Sequence, residues 1–165
     1  MKIVSICAGR LALTVLFAGC FFAASVNSVQ AGLGAEAIST ESDAAAMQGK
    51  MLQMPAQEEP SASYGVKTFV TGSGVTVREY AAPSGAIFGI AWHGRRPPDL
   101  SVLLGSYYPE YASAAALKPR KDLHRAVIAG PNSVVVMGGH MGHLVGYAYV
   151  PSLVPSGVDP KVVVK

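Results

Sequence analysis

The chain has 165 residues, of which 50% are hydrophobic, with two cysteines and a formal net charge of +3. This charge is too small to suggest nucleic-acid binding, which generally relies on a concentrated basic surface. The length is sufficient for one domain with a hydrophobic core of its own.

The start of the chain has the three parts of a cleavable signal peptide. Lys2 and Arg10 supply positive charge without an acid, an uncharged apolar run follows, and Val29-Gln30-Ala31 places small or aliphatic residues before Gly32. We therefore expect residues 1–31 to be removed and the remaining chain to be exported. The apolar run, residues 11–26, falls short of the roughly 17–25 residues of a spanning helix, so no transmembrane segment is expected after cleavage.

An alternative interpretation places a lipid anchor at Cys20. Phe17-Ala18-Gly19-Cys20 resembles a signal-peptidase II site, and a diacylated cysteine would tether the chain to a membrane. Residues 21–24 are apolar where a lipidated chain usually turns polar, which favours cleavage after Ala31. That cleavage would remove both cysteines, leaving no disulfide and no thiolate ligand, and lower the formal net charge from +3 to +1.

Residues 32–62 are predicted to form an N-terminal arm that ends in a linker. Thr40-Glu41-Ser42-Asp43 resembles a capping box, and alanine and methionine recur after it at helical spacing. The pattern predicts a short helix over residues 40–53. Pro55 ends this helix, and the acidic, proline-containing residues that follow form the linker.

The next segment is rich in residues typical of strands. Residues 64–70 and 75–81 are predicted strands joined by a glycine-containing hairpin turn. Residues 86–92 are apolar throughout and indicate a central strand buried on both faces. Arg78 and Glu79 are adjacent in one strand, so their side chains point to opposite faces, and whichever is buried needs a partner. An ion pair is favoured there over a clamp for a carboxylate or phosphate.

The second half of the chain repeats the order of helix and strands. Asp99 is a candidate N-cap for a helix with a stripe of leucine and tyrosine residues, in which Pro109 should cause a kink or a new start. A basic loop at residues 118–121 follows. Three further strands are predicted at residues 124–129, 133–137 and 143–150.

Short connections between neighbouring strands favour antiparallel pairing. We predict an α+β fold: a single antiparallel β-sheet of about six strands, one main helix packed on it, and a short N-terminal helix. The predicted α+β domain covers residues 63–151. The C-terminal tail, residues 152–165, is expected to be a loop with an edge strand.

An ordered series of motifs runs through these elements. They are Gly74-Val75-Thr76-Val77-Arg78-Glu79-Tyr80, Pro83-Ser84-Gly85, residues 88–94, Pro98-Asp99-Leu100 with Leu103-Leu104-Gly105-Ser106-Tyr107, Gly139-His140-Met141, and Gly146-Tyr147-Ala148-Tyr149-Val150-Pro151. Together they resemble a bacterial family catalogued as domain of unknown function 2844, over roughly residues 32–160. The resemblance implies a periplasmic or secreted protein of a Gram-negative bacterium. It implies no activity.

Two histidines are weak candidates for a metal site. His140 and His143 have H-x-x-H spacing in a glycine-rich turn, and His93 or His124 would have to supply a third ligand. No glutamate lies inside the motif, and histidines at a hairpin tip are usually exposed polar residues. The sequence therefore predicts no metal and no cofactor.

Two basic segments flank the predicted central helix. We expect them to be exposed loops that contact a binding partner of the protein. The partner would be an envelope protein or an anionic envelope polymer, without nucleic acid. The candidate contact residues are Arg95, Arg96, Lys118, Arg120, Lys121 and Arg125.

Three classes of function follow from these observations. The leading one is a non-catalytic, exported envelope accessory or binding protein. The second is a periplasmic metal- or ligand-carrying protein that uses the turn with His140 and His143, and the third is an unrecognised hydrolase. The sequence has no G-x-S-x-G, H-E-x-x-H or phosphate-binding Gly-Lys motif, so no catalytic residue is assigned and a non-enzyme is favoured.

Overall fold

The order of strands in the sheet follows from antiparallel hairpins on both sides of a central strand. A computed structural model describes residues 32–52, 63–118 and 125–164. Its strands are β1 (Lys50–Leu52), β2 (Gly65–Val70), β3 (Thr76–Ala81), β4 (Ile87–Gly94), β5 (Arg125–Ala129), β6 (Val134–His140) and β7 (His143–Tyr149). All neighbours pair antiparallel in the order β1-β2-β3-β4-β7-β6-β5. The α+β fold class is confirmed, with seven strands instead of about six.

The additional strand lies where the N-terminal helix was predicted to continue. Helix α1 (Thr40–Ala46) ends well before residue 53, and Gln48 has a left-handed backbone with φ of 51°. The Gly49 N–H then bonds the Ala44 carbonyl oxygen at 2.6 Å, and the chain leaves the helix to pair with β2. The predicted helix end at residue 53 is therefore wrong, because sheet pairing replaces the helical hydrogen bonds from Lys50 onward.

The central helical region is divided into two helices. Asp99 caps α2 (Leu100–Leu104), its carboxylate accepting the Ser101 N–H at 2.9 Å, as predicted. A 3-10 turn (Gly105–Tyr107) separates α2 from α3 (Tyr108–Ala116). Pro109 lies in the first turn of α3, where a backbone N–H would have no hydrogen-bond partner within the helix, so the proline breaks no helical bond. The interruption between the two helices therefore precedes the proline. Within the described residues, no helix has the length and apolar character needed to cross a membrane.

The helices cover one face of the sheet, here called the helix face. Phe69, Ile90 and Trp92 point to this face and pack with Leu103 and Leu104 in one buried cluster. Leu33 and Ala44 belong to the same cluster, so residues 32–52 contribute to the core of the domain. Burial of this apolar surface is the main stabilising contribution to the fold.

The opposite face of the sheet, here called the second face, is partly covered by the C-terminal segment. This segment forms 3-10 turns at Pro151–Leu153 and Pro160–Val164, so the predicted edge strand in the tail is wrong. Val163 is fully buried with Tyr80 and Phe88. It lies over Gly89, where a Cβ would be only 2.5 Å from Val163 Cγ2. A glycine in β4 therefore permits the segment to lie directly on the sheet.

Candidate functional site

A cavity of about 680 Å³ lies on the second face of the sheet, beside the C-terminal segment. We call it the groove. Val163 and Val164 border it on one side, and strands β3, β4, β6 and β7 and the start of β5 supply the other residues. Its floor contains apolar side chains such as Val136, Val145 and Tyr147.

Strand register brings basic side chains into the groove. His93 pairs with Val145, Val145 with Gly138, and Gly138 with Arg125, across four strands. Directly paired residues of antiparallel strands share a face, so His93 and Arg125 lie on the same side of the sheet. Because Gly138, next to Arg125 in this row of paired residues, has no side chain, the surface at that point is not covered.

Arg78 lies one row further along the same face. It pairs with Ala91, two residues before His93 in β4, and it lines the groove together with His143. Arg78 also interacts with the hydroxyl of Tyr80: burial raises the pKa of Tyr80 above its usual 10.0, and the nearby guanidinium opposes that rise. Arg78 is thus held beside the groove by a neighbour on its own strand.

The lining of the groove carries basic but no acidic side chains among the described residues. Two arginines and two histidines contribute, namely Arg78, Arg125, His93 and His143. Arginine presents a planar set of donors that matches carboxylate and phosphate groups, often in a bidentate manner. The arrangement is suited to an anionic group that reaches the apolar floor from solvent.

The predicted contact residues are only partly brought together. Arg125 begins β5 instead of lying in a loop, and it lines both the groove and a second cavity of about 540 Å³ between α3 and β5. Lys118 lines that second cavity and donates to the carbonyl oxygen of Val127 in β5. Arg95 and Arg96 are exposed in the turn after β4. Arg120 and Lys121 lie outside the described residues.

The candidate metal ligands face each other across the β6–β7 turn. His140 pairs with His143, their ring centroids are 5.7 Å apart, and both are exposed. Across residues 32–52, 63–118 and 125–164, no cluster of three histidine, cysteine, aspartate or glutamate residues could hold a metal ion. His124, one proposed third ligand, lies outside these ranges.

A buried pair of carboxyl groups was not predicted. Glu79 does point inward, but its neighbour is Asp43 of α1, and the two side chains are 1% and 0% exposed. Burial raises the pKa of both groups, and the charge of Glu79 adds to the rise for Asp43, to about 8 from 3.8. Neither carboxyl is reachable by a substrate, so the pair is not an active site for an external molecule.

The chain matches the model of a protein family over most of its length. The family model described as "Protein of unknown function (DUF2844)" matches residues 29–163. The match thus includes every described strand and helix and begins close to Gly32. No curated protein and no solved structure matches the chain.

Proposed function

The chain belongs to the DUF2844 family, whose description assigns no role, and we propose a function from the chain's own site. The proposed function is that of an exported, non-catalytic binding protein for an anionic polymer of the bacterial envelope. The groove carries this proposal, because arginine and histidine side chains line it without an acidic one among the described residues. Such a lining attracts carboxylate or phosphate groups and repels cations.

A polymer fits this surface better than a small anion. The groove and the second cavity share Arg125 and Val145, so cationic side chains continue from Arg78 past the edge strand β5 to Lys118. Single exposed ion pairs are worth at most about 1 kcal/mol, so useful affinity requires several contacts along a chain. Tyr147 and the valines of the floor offer apolar surface to sugar rings.

Binding to an acidic polysaccharide, polygalacturonate, tests the proposal, with neutral dextran as the reference polymer. We expect titration calorimetry to show binding of polygalacturonate that weakens as salt rises, because exposed charges are screened beyond about 8–10 Å at physiological ionic strength. Arg125→Gln should weaken binding by up to about fivefold, since one exposed ion pair contributes at most about 1 kcal/mol.

Two control variants locate the binding surface. Lys50→Gln changes an exposed lysine in β1, at the opposite edge of the sheet, and should leave affinity unchanged. The double variant Arg95→Gln/Arg96→Gln reports on the turn after β4. Equal affinity of Arg125→Gln and Lys50→Gln for the polymer would refute the assignment of the groove as the binding site, and so would binding that is the same at low and high salt. Loss of binding only in the double variant would place the contact surface at the turn after β4.

Export is supported by the basic and apolar leader and by the family match, which starts at residue 29. We expect the protein purified from the periplasm or the medium of a Gram-negative host to begin at Gly32 by intact mass, without lipid. A mass that corresponds to a diacylglyceryl group on Cys20 would replace this assignment with a membrane-tethered lipoprotein.

A further inference from the structure

Gly32 lies in the interior of the domain. Its φ is +103°, and a Cβ at this position would be 2.4 Å from the Val102 carbonyl oxygen of α2. The next residue, Leu33, is 1% exposed and its N–H bonds the Leu103 carbonyl oxygen at 2.8 Å. The nitrogen atom of Gly32 is therefore held at a fixed place next to α2.

The same nitrogen is directed toward the buried carboxyl pair. The N–H of Gly32 interacts with the Asp43 carboxyl group and lowers its pKa, against the larger effects of burial and of Glu79. The Gly32 contact, like the contact between the two carboxyl groups themselves, falls short of normal hydrogen-bond geometry, and all four carboxyl oxygens of Asp43 and Glu79 are buried without a partner of that geometry. Buried polar atoms in this condition are rare and costly.

Two other hydrogen-bond donors near the carboxyl pair already donate to a backbone carbonyl oxygen. Lys67, directly opposite Glu79 in the β2–β3 register, donates to the Ala37 carbonyl oxygen at 2.8 Å. The Thr40 hydroxyl donates to the same oxygen at 2.9 Å. Against the burial that raises the pKa of Glu79, Thr40 lowers it by a contact with the carboxyl group and Lys67 by its charge, but neither contact has normal hydrogen-bond geometry.

We propose that removal of residues 1–31 completes this site: the α-ammonium group of Gly32 becomes the buried counter-ion of Asp43 and Glu79. The inference depends on cleavage after Ala31, which belongs to the proposed export of the protein, and is independent of the groove. Processing would then stabilise the fold as well as release the chain.

The chemical change at Gly32 is a simple hydrolysis. Water adds across the Ala31–Gly32 amide bond; Ala31 leaves with a new carboxylate, and the Gly32 nitrogen takes up protons to become an ammonium group. A neutral amide with one N–H is thereby exchanged for a cation with three donors. An ammonium group that replaces this amide has the charge and the hydrogen atoms to bond oxygens of both carboxyl groups.

The proposal gives a defined dependence of stability on pH. Where Gly32 remains an amide, the pKa of Asp43 is higher in the folded than in the unfolded chain, so the folded state binds more protons. Stability is then complete below the ordinary pKa of 3.8 and falls as pH rises toward about 8. A buried ammonium group lowers the pKa of the pair and should remove most of this loss.

The experiment compares two precursors exported by the same host. One has the natural sequence, and the other has two serines inserted between Ala31 and Gly32, so that processing leaves a short extension with Gly32 as an amide. Intact mass verifies both N-termini, and denaturant unfolding is measured at pH 5 and pH 8. We expect the extended chain to lose stability between these pH values and the natural chain to lose far less.

Two further measurements distinguish loss of an ion pair from a steric effect of the extension at Gly32. The pH-dependent difference between the two chains should shrink in an Asp43→Asn background and disappear in an Asp43→Asn/Glu79→Gln background. The α-amine of the folded natural chain should react with cyanate at least about tenfold more slowly than that of the urea-unfolded chain, a readout that needs no variant.

The contrary results are equally defined. An extension that lowers stability by the same amount at both pH values, and still does so with Asp43→Asn, would show steric exclusion without an ion pair. An α-amine that reacts equally fast in the folded and unfolded chains, or a mature N-terminus other than Gly32, would also overturn the proposal. A failure of polygalacturonate binding would leave all these measurements unaffected.

Discussion

Substituting Phe69 with alanine is expected to lower the free energy of unfolding by about 3–5 kcal/mol. Phe69 is fully buried on the helix face of β2, in the cluster that joins the sheet to α1 and α2. Truncation removes the ring from an apolar site and leaves a cavity that close-packed neighbours fill only in part. Domains of this size are stable by only about 5–15 kcal/mol, so the loss is a large fraction of the total.

Denaturant unfolding followed by tryptophan fluorescence measures this loss, because Trp92 lies in the same cluster. Val66→Ala is the matched control: it lies in the same strand, removes apolar volume, and is 48% exposed. We expect that control to cost at most about 0.5 kcal/mol, as surface substitutions usually do. Similar losses for the two variants would contradict the assignment of the core to the helix face.

The Val163→Asp substitution is expected to destabilise the domain by about 2–4 kcal/mol and to detach the C-terminal segment from the sheet. Val163 is fully buried against Gly89, with Tyr80 and Phe88 as neighbours in the same cluster. An aspartate there would have to bury its charge without a partner or leave the cluster. Leaving the cluster exposes apolar surface on the second face.

The adjacent Val164→Asp variant is the control, since Val164 is 53% exposed. Thermal unfolding should show a lower melting temperature for Val163→Asp only. Hydrogen exchange should show faster exchange of the backbone amides in residues 160–164 of that variant. The prediction fails if both variants unfold at the same temperature, because burial of Val163 would then contribute nothing.

Local signals in the sequence accounted for most of the fold. Strand-forming residues between glycine-containing turns predict β2–β4 and β6–β7, and the side chain of Asp99 specifies the start of α2. Strand β1 has only three residues and no alternation long enough to detect, and it exists because β2 offers it hydrogen bonds. The C-terminal segment is held by contacts with Gly89, which no local pattern indicates.

The candidate site was less predictable because it depends on register. Arg78, His93 and Arg125 come from three separate segments, and they share a face only once the pairing of β3, β4, β7, β6 and β5 is known. Strand alternation could have placed Arg78 and His93 together, had the β3–β4 hairpin been used to align them. The pairing of Asp43 with Glu79 arises from docking of α1 on the sheet, which leaves no short-range signal in the sequence.

The contact between Lys118 and Val127 bears on how copies of this protein behave toward one another. Open sheet edges present unpaired backbone groups on which another strand can add, and in the part of the chain that the structure describes the two edge strands are β1 and β5. At β5 the ammonium group of Lys118 occupies the Val127 carbonyl oxygen, and β1 is only three residues long. Both features reduce the backbone that another strand could pair with, so we expect them to disfavour strand-on-strand aggregation.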